Sequence, residues 1–162
     1  MKQSHEDFLK ILSGYQGIIH KVNLIYFKTV TDREDNFQEV VYNLWKSFPS
    51  LKDKEKIGSW IYAVAINTSI TKIRKDYRVI LMESVPDTSE VNGQDEIDQE
   101  IDFQQLLEML HTLNEIDRSI MLLYMEEYSY NEIAGILGIT STNVGVRINR
   151  AKKQLKTLLG GK

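Results

Sequence analysis

The chain has 162 residues, 42% of them hydrophobic and 27% charged, and no cysteine. That length allows one domain or two small ones, the composition is that of a globular protein, and disulfides, thiolate zinc sites and thiol redox chemistry within the chain are excluded. No apolar run approaches the ~20 residues that cross a bilayer, and the opening MKQSHEDF has no apolar export region, so a cytoplasmic protein without membrane insertion is expected.

Helical spacing dominates from the start. Phe8, Leu12, Tyr15, Ile18, Ile19 and Val22 trace one amphipathic helix, and Phe37, Val40, Val41, Leu44 and Phe48 trace a second that Pro49 ends. The loop 49–57, PSLKDKEKI, interleaves Lys52, Lys54 and Lys56 with Asp53 and Glu55. A third helix is predicted over about 57–75. Trp60, Ile61, Ala63, Val64, Ala65, Ile66, Ile70 and Ile73 make it apolar on nearly every side, which marks a helix at the centre of its domain. Asn67 interrupts that apolar surface, either as a hydrogen-bonded structural residue or as a reader of a base edge. Lys72, Arg74, Lys75 and Arg78 follow, suited to non-specific phosphate binding.

Eight acids and no base lie between Met82 and Asp102, among Pro86, Gly93 and several small polar residues. Such a stretch has little to bury and reads as a linker with helix resuming near Glu100. It serves either as a solvated tether or as an internal competitor whose acids imitate DNA over a basic surface. The net charge of −3 is therefore uneven: without those eight acids, 20 bases face 15 acids, a balance of +5. Phosphate contact depends on that local balance rather than the total.

Beyond the linker, Phe103, Leu106, Leu107 and Leu110 form one stripe, and Ile116, Ile120, Leu123 and Tyr124 another. Residues 128–155 read YSYNEIAGILGITSTNVGVRINRAKKQL. Ile133, Ala134 and Leu137 give a short helix its apolar face, and Gly138 supplies the left-handed stop. Thr140 or Ser141 can cap the next helix. That helix buries Val144, Ile148, Ala151 and Leu155, and between Ser141 and Lys162 it carries six bases and no acid. These features define a helix-turn-helix suited to the DNA major groove. Base contacts are expected from Ser141, Thr142, Asn143 and Arg147, and phosphate contacts from Arg150 and Lys153. The expected architecture is all-α: two small helical domains, 1–81 and 103–162, joined by the acidic flexible linker 82–102, with the helix-turn-helix in the second.

These residues, in this order, resemble the extracytoplasmic-function (ECF) sigma factors of the sigma-70 family. Residues 32–48, DREDNFQEVVYNLWKSF, resemble the family's polymerase-binding helix, and 59–75, SWIYAVAINTSITKIRK, its promoter-melting and −10-reading helix. Residues 113–137 are similar to the opening of its −35-binding domain, and 138–155 to its recognition unit. The resemblance implies that Asp35, Gln38, Glu39, Tyr42 and Trp45 bind core RNA polymerase, whose large subunit contributes the clamp coiled coil and flap. Tyr42 and Trp45 can equally be peripheral core residues. It implies −10 contacts by Lys52, Lys54, Lys56, Asn67, Lys72, Arg74 and Lys75, with the 49–57 loop capturing a flipped base, unless that loop is only a solvated one. Trp60 reads as core rather than as a stacking platform. It further implies promoter DNA and an anti-sigma factor as partners, with no cofactor and no small-molecule substrate. Gly145 and Val146 stand where the family often has longer polar residues, which shifts readout toward DNA shape.

No enzyme signature is present: His5, His20 and His111 are scattered, and no glycine-rich phosphate loop or serine elbow occurs. The competing interpretations are a helix-turn-helix regulator acting without core polymerase and a helical adaptor that binds only proteins. The first leaves the 32–75 pattern unexplained, and the acid-free helix opposes the second.

Overall fold

A computed structural model describes residues 2–52, 54–83 and 98–160, with side chains from 4–52, 55–76 and 103–159. Among the described residues there are seven α-helices, two 3₁₀ turns and no strand. Helices α1 (Lys2–Tyr26), α2 (Val30–Ser47) and α3 (Ile57–Glu83) form an N-terminal domain. Helices α4 (Asp98–His111), α5 (Glu115–Met125), α6 (Tyr130–Leu137) and α7 (Ser141–Gly160) form a C-terminal one. The all-α, two-domain architecture is the one the hydrophobic periodicity implies. Residues 84–97, and with them both roles considered for the acidic stretch, lie outside the described residues. Helix enters that stretch from both sides, since α3 reaches Glu83 and α4 begins at Asp98.

In the N-terminal domain, Thr29 caps α2 by accepting from the Asp32 amide at 3.1 Å. Asp32 also places a carboxylate in the first turn, where the helix dipole favours it. The core consists of Ile19, Val22, Val40, Leu44, Ile61, Ala65 and Ile66, all buried. A polar knot lies inside it. The buried Asn36 amide nitrogen donates to Asn23 Oδ1 at 2.8 Å and to Ser69 Oγ at 2.9 Å, so one side chain of α2 joins one from α1 and one from α3. The donor side of the Asn36 amide is thereby satisfied while its Oδ1 has no partner among the described residues, and the two bonds link α1, α2 and α3. Asn67 is not the buried asparagine: it is exposed, while Thr68 and Ser69 beside it are buried.

The C-terminal domain is assembled from caps. Asn114 accepts from the Asp117 amide at 2.8 Å to start α5. Ser129 and Glu132 form a reciprocal capping box at the start of α6. Gly138 adopts φ 73° at its end. Thr140, rather than Ser141, caps the next helix, accepting from the Asn143 amide at 3.0 Å. The α5–α6 turn uses a left-handed residue too, but here it is Glu127 at φ 67°. The Tyr128 amide reaches Leu123 O and the Glu127 amide reaches Tyr124 O, which is the Schellman pattern.

The two domains pack against each other, chiefly through the end of α1. The last carbonyls of a helix lack intrahelical partners, and those of α1 are met by donors from the other domain. Arg118 donates to Ile25 O at 3.2 Å, and His111 Nε2 pairs with Leu24 O at 3.2 Å. The Tyr26 hydroxyl returns the contact, donating to Glu115 O at 2.7 Å. Burial pushes the Tyr26 phenol above its ordinary pKa and holds the His111 imidazole below its own. On the α3 side, Tyr62 meets Tyr128 edge to face at 5.6 Å between centroids. Contact with α6 as well as with α1 and α2 explains why α3 is apolar on nearly all sides.

Candidate nucleic-acid and polymerase interface

Along α2 the buried stripe is Asn36, Val40 and Leu44, with Phe37 and Val41 half-buried beside it. Asp35, Gln38, Glu39, Tyr42 and Trp45 are all exposed on the opposite side. They divide into two adjoining strips. Gln38, Tyr42 and Trp45, spaced i, i+4 and i+7, border an apolar trough of about 530 Å³ against His5, Phe8, Leu9 and Leu12 of α1. Trp45 is stacked on His5 at 4.7 Å and meets Phe8 edge-on at 5.1 Å, yet stays 36% exposed. It is therefore both held by the domain and open to a partner. Tyr42 is 58% exposed, with Lys46 Nζ 5.2 Å from its ring centroid.

Glu39 borders a second cleft, of about 400 Å³, with Asn43, Asn67, Thr68, Thr71, Lys72, Lys75 and Asp76. Asn43 donates to Thr68 Oγ1 at 2.9 Å across its floor. The cleft brings together three of the residues expected at the −10 element, Asn67, Lys72 and Lys75. Arg74 points elsewhere: its Nε is 3.3 Å from Glu115 Oε1 in the C-terminal domain. Lys52 and Lys56 are exposed, whereas Lys54 lies in the Lys54–Lys56 turn with its side chain outside the described set. Lys56 lines a cleft of about 730 Å³ whose far wall is Tyr128, Asn131 and Glu132 of the C-terminal domain. Trp60 is half-buried: it packs against the edge of the core, with its ring 6.3 Å from that of Phe48, and also lines this cleft.

In α7, Val144, Ile148 and Ala151 are buried and Leu155 is half-buried. Thr142, Val146, Asn149, Arg150 and Lys153 are exposed, while Ser141 and Asn143 are half-buried near the cap. Arg147 sits on the flank. One guanidinium nitrogen donates to Asp117 Oδ1 at 2.8 Å, and its Nε donates to Asn143 Oδ1 at 3.3 Å. Asp117 is 8% exposed, so the arginine neutralises a nearly buried carboxylate on α5. Sequence reasoning missed that partner, although a signal existed: at 3.6 residues per turn, Arg147 lies only about 60° from the buried Val144 stripe. Gly145 also has a structural reason. A Cβ there would come within 3.3 Å of the Tyr130 ring, so a larger residue would have to shift that exposed side chain.

Two helical domains, the second ending in a helix-turn-helix with an acid-free outer helix, define a DNA-reading protein. The family profile described as Sigma-70 region 2 matches residues 12–79, and that of Sigma-70, region 4, matches residues 103–155. The chain is 25% identical over 148 residues to RNA polymerase sigma factor SigV of Bacillus subtilis, covering 91% of this chain and 88% of that protein. It is likewise 25% identical over 173 residues to the ECF RNA polymerase sigma factor SigW of the same organism, covering 98% and 91%. The fold is similar to the sigma factor RpoE of Bartonella quintana, solved with the anti-sigma factor NepR, at a TM-score of 0.77 and 19% identity over 98% of each chain. It is also similar to CnrH, solved with the cytosolic domain of CnrY, at a TM-score of 0.70 and 18% identity over 98% of this chain and 90% of that one. The chain belongs to the sigma-70 family, in its extracytoplasmic-function group. Its function is to direct promoter-specific transcription, without catalytic chemistry of its own. Among the described residues, no helix is long and apolar enough to cross a membrane.

Proposed function

We propose a division of labour between the two domains of this sigma factor. The outer face of α2 docks core RNA polymerase: Gln38, Tyr42 and Trp45 supply an apolar edge with one amide, and Asp35 and Glu39 supply carboxylates for charge-assisted hydrogen bonds. Lys52, Lys54 and Lys56, with the Asn67, Lys72 and Lys75 cleft, take the −10 element as it opens. Extracting a base costs a few kcal/mol of unstacking, which a cationic, cleft-bearing surface offsets. Arg74 joins that surface on leaving Glu115. On the other domain, Thr142 and the cap residues Ser141 and Asn143 approach the −35 base edges, and Arg150 and Lys153 hold phosphate. Arg147 is assigned to positioning α7 rather than to reading bases. The observation that carries this reading is the exposed strip of α2 combined, in one chain, with the exposed cationic face of α7.

RpoE was solved with the anti-sigma factor NepR and CnrH with the cytosolic domain of CnrY, and an anti-sigma protein is proposed here as well. The working compartment is the cytoplasm, where polymerase and DNA are. The test is to add the purified chain to core polymerase and map transcripts from genomic template. A stable complex with discrete starts sharing upstream −10 and −35 sequences is expected. DNA binding without any polymerase complex would instead establish a regulator that acts alone.

A further inference from the structure

Val146 is 49% exposed on α7. Taking 3.6 residues per turn, it lies about 200° from the buried Val144, at the middle of the face turned away from the domain. Thr142 stands one turn before it, Asn149 and Arg150 one turn after, and Lys153 two turns after, all exposed. This face is polar or cationic apart from Val146. The fold gains nothing from the valine. It covers no core, and a β-branched side chain is a poorer helix former than alanine, lysine or glutamine. Gly145 beside it carries no side chain, and the neighbouring Arg147 is turned aside to Asp117. A short apolar tip is therefore left at the centre of the groove-facing surface, with no long side chain adjacent to hold it off.

We propose that Val146 is a specificity-determining residue that reads the C5-methyl group of a thymine in the −35 element. Of the four bases only thymine presents a methyl group in the major groove, and small apolar side chains recognise it by contact. Asn149, a turn further along the same face, is placed to pair with an adenine edge of the same A·T-containing segment. Apolar contact here replaces the long polar residue expected at this position, so the readout remains direct.

The inference rests on α7 being the −35 reader, and the experiment separates the two. Holoenzyme is assembled from core polymerase and the full chain on a duplex promoter recovered by start-site mapping. Each −35 thymine, on either strand, is replaced singly by deoxyuridine, which removes only the methyl group. Affinity is expected to fall about fourfold at one position, the size of one methyl group's burial. With Val146→Ser that same replacement should change affinity less than 1.5-fold, while the other replacements behave as in the wild type. If the wild type transcribes from the promoter yet tolerates every replacement, Val146 reads no methyl group and the proposal fails alone. It fails equally if Val146→Ser keeps the wild-type sensitivity. A holoenzyme indifferent to scrambling the whole −35 element would overturn the assignment of α7 as well.

Discussion

The two domains hold α3 and α7, the helices proposed to face DNA, by opposite means. In the N-terminal domain the polar hold is internal: Asn36 ties Asn23 and Ser69 together at the centre of three helices, and Asn67, Lys72 and Lys75 sit outside it. In the C-terminal domain the hold comes from α7 itself, whose Arg147 reaches back to Asp117 on α5. Surface residues of α3 can therefore change with little structural consequence, whereas a basic residue on the flank of α7 cannot. A charge on a recognition helix is not by itself evidence of a DNA contact. Its angular distance from the buried stripe decides.

The largest expected effect breaks this comparison directly. Arg147→Ala should lower the stability of the C-terminal domain by about 3 kcal/mol, because it leaves a nearly buried carboxylate unpaired. Urea unfolding followed by circular dichroism measures this, and adding Asp117→Ala should recover part of the loss. Unchanged stability with weaker DNA binding would return Arg147 to the base readers. Next in size, Asn36→Ala should cost about 2 kcal/mol in the N-terminal domain by orphaning groups on α1 and α3. Its thermal midpoint should fall while −35 affinity is retained by the folded protein.

Much of this was legible in the sequence. The amphipathic stripes and the Gly138 stop follow from spacing and backbone sterics, whereas Trp60, expected in the core, lies half-buried at its edge. The burial of Asn36 is readable only from its place on the i, i+4, i+8 stripe of Val40 and Leu44, because an amide side chain gives no apolar signal of its own. The interdomain contact was not readable, because its main acceptors are the backbone carbonyls of Leu24 and Ile25. Carbonyls have no sequence signature. The all-round apolarity of α3 did signal extra packing, but spacing cannot tell a neighbour in the same domain from one in the next.

A smaller effect sharpens the account of that contact. His111 is depressed by burial, with the charges of Arg118, Lys28 and Arg33 adding to it, against the opposing hydrogen bond to Leu24 O. Above its ordinary value near 6.5 it is neutral in both folded and unfolded chains. As pH falls through that value the unfolded chain takes up a proton that the folded one resists, so stability drops toward the lower folded pKa. Thermal midpoints measured between pH 7.5 and 5 should fall with acid, and His111→Gln should flatten the part due to this residue. Glu127→Gly should raise stability by about 1 kcal/mol, since the left-handed position at φ 67° strains a side chain and not a glycine. The smallest change expected is from Lys21→Ala, below about 0.5 kcal/mol, because its 2.8 Å bridge to Glu126 is largely solvated.

The division of labour itself is tested most directly by core polymerase affinity, measured on two variants that spare both polar holds. Gln38→Ala with Glu39→Ala alters only exposed residues of α2, and Arg150→Ala with Lys153→Ala only exposed residues of α7. The first pair should weaken the complex with core polymerase at least tenfold, and the second should match the wild type while losing −35 recognition. Equal loss of polymerase affinity in both, or loss only in the α7 pair, would contradict the assignment of polymerase docking to α2.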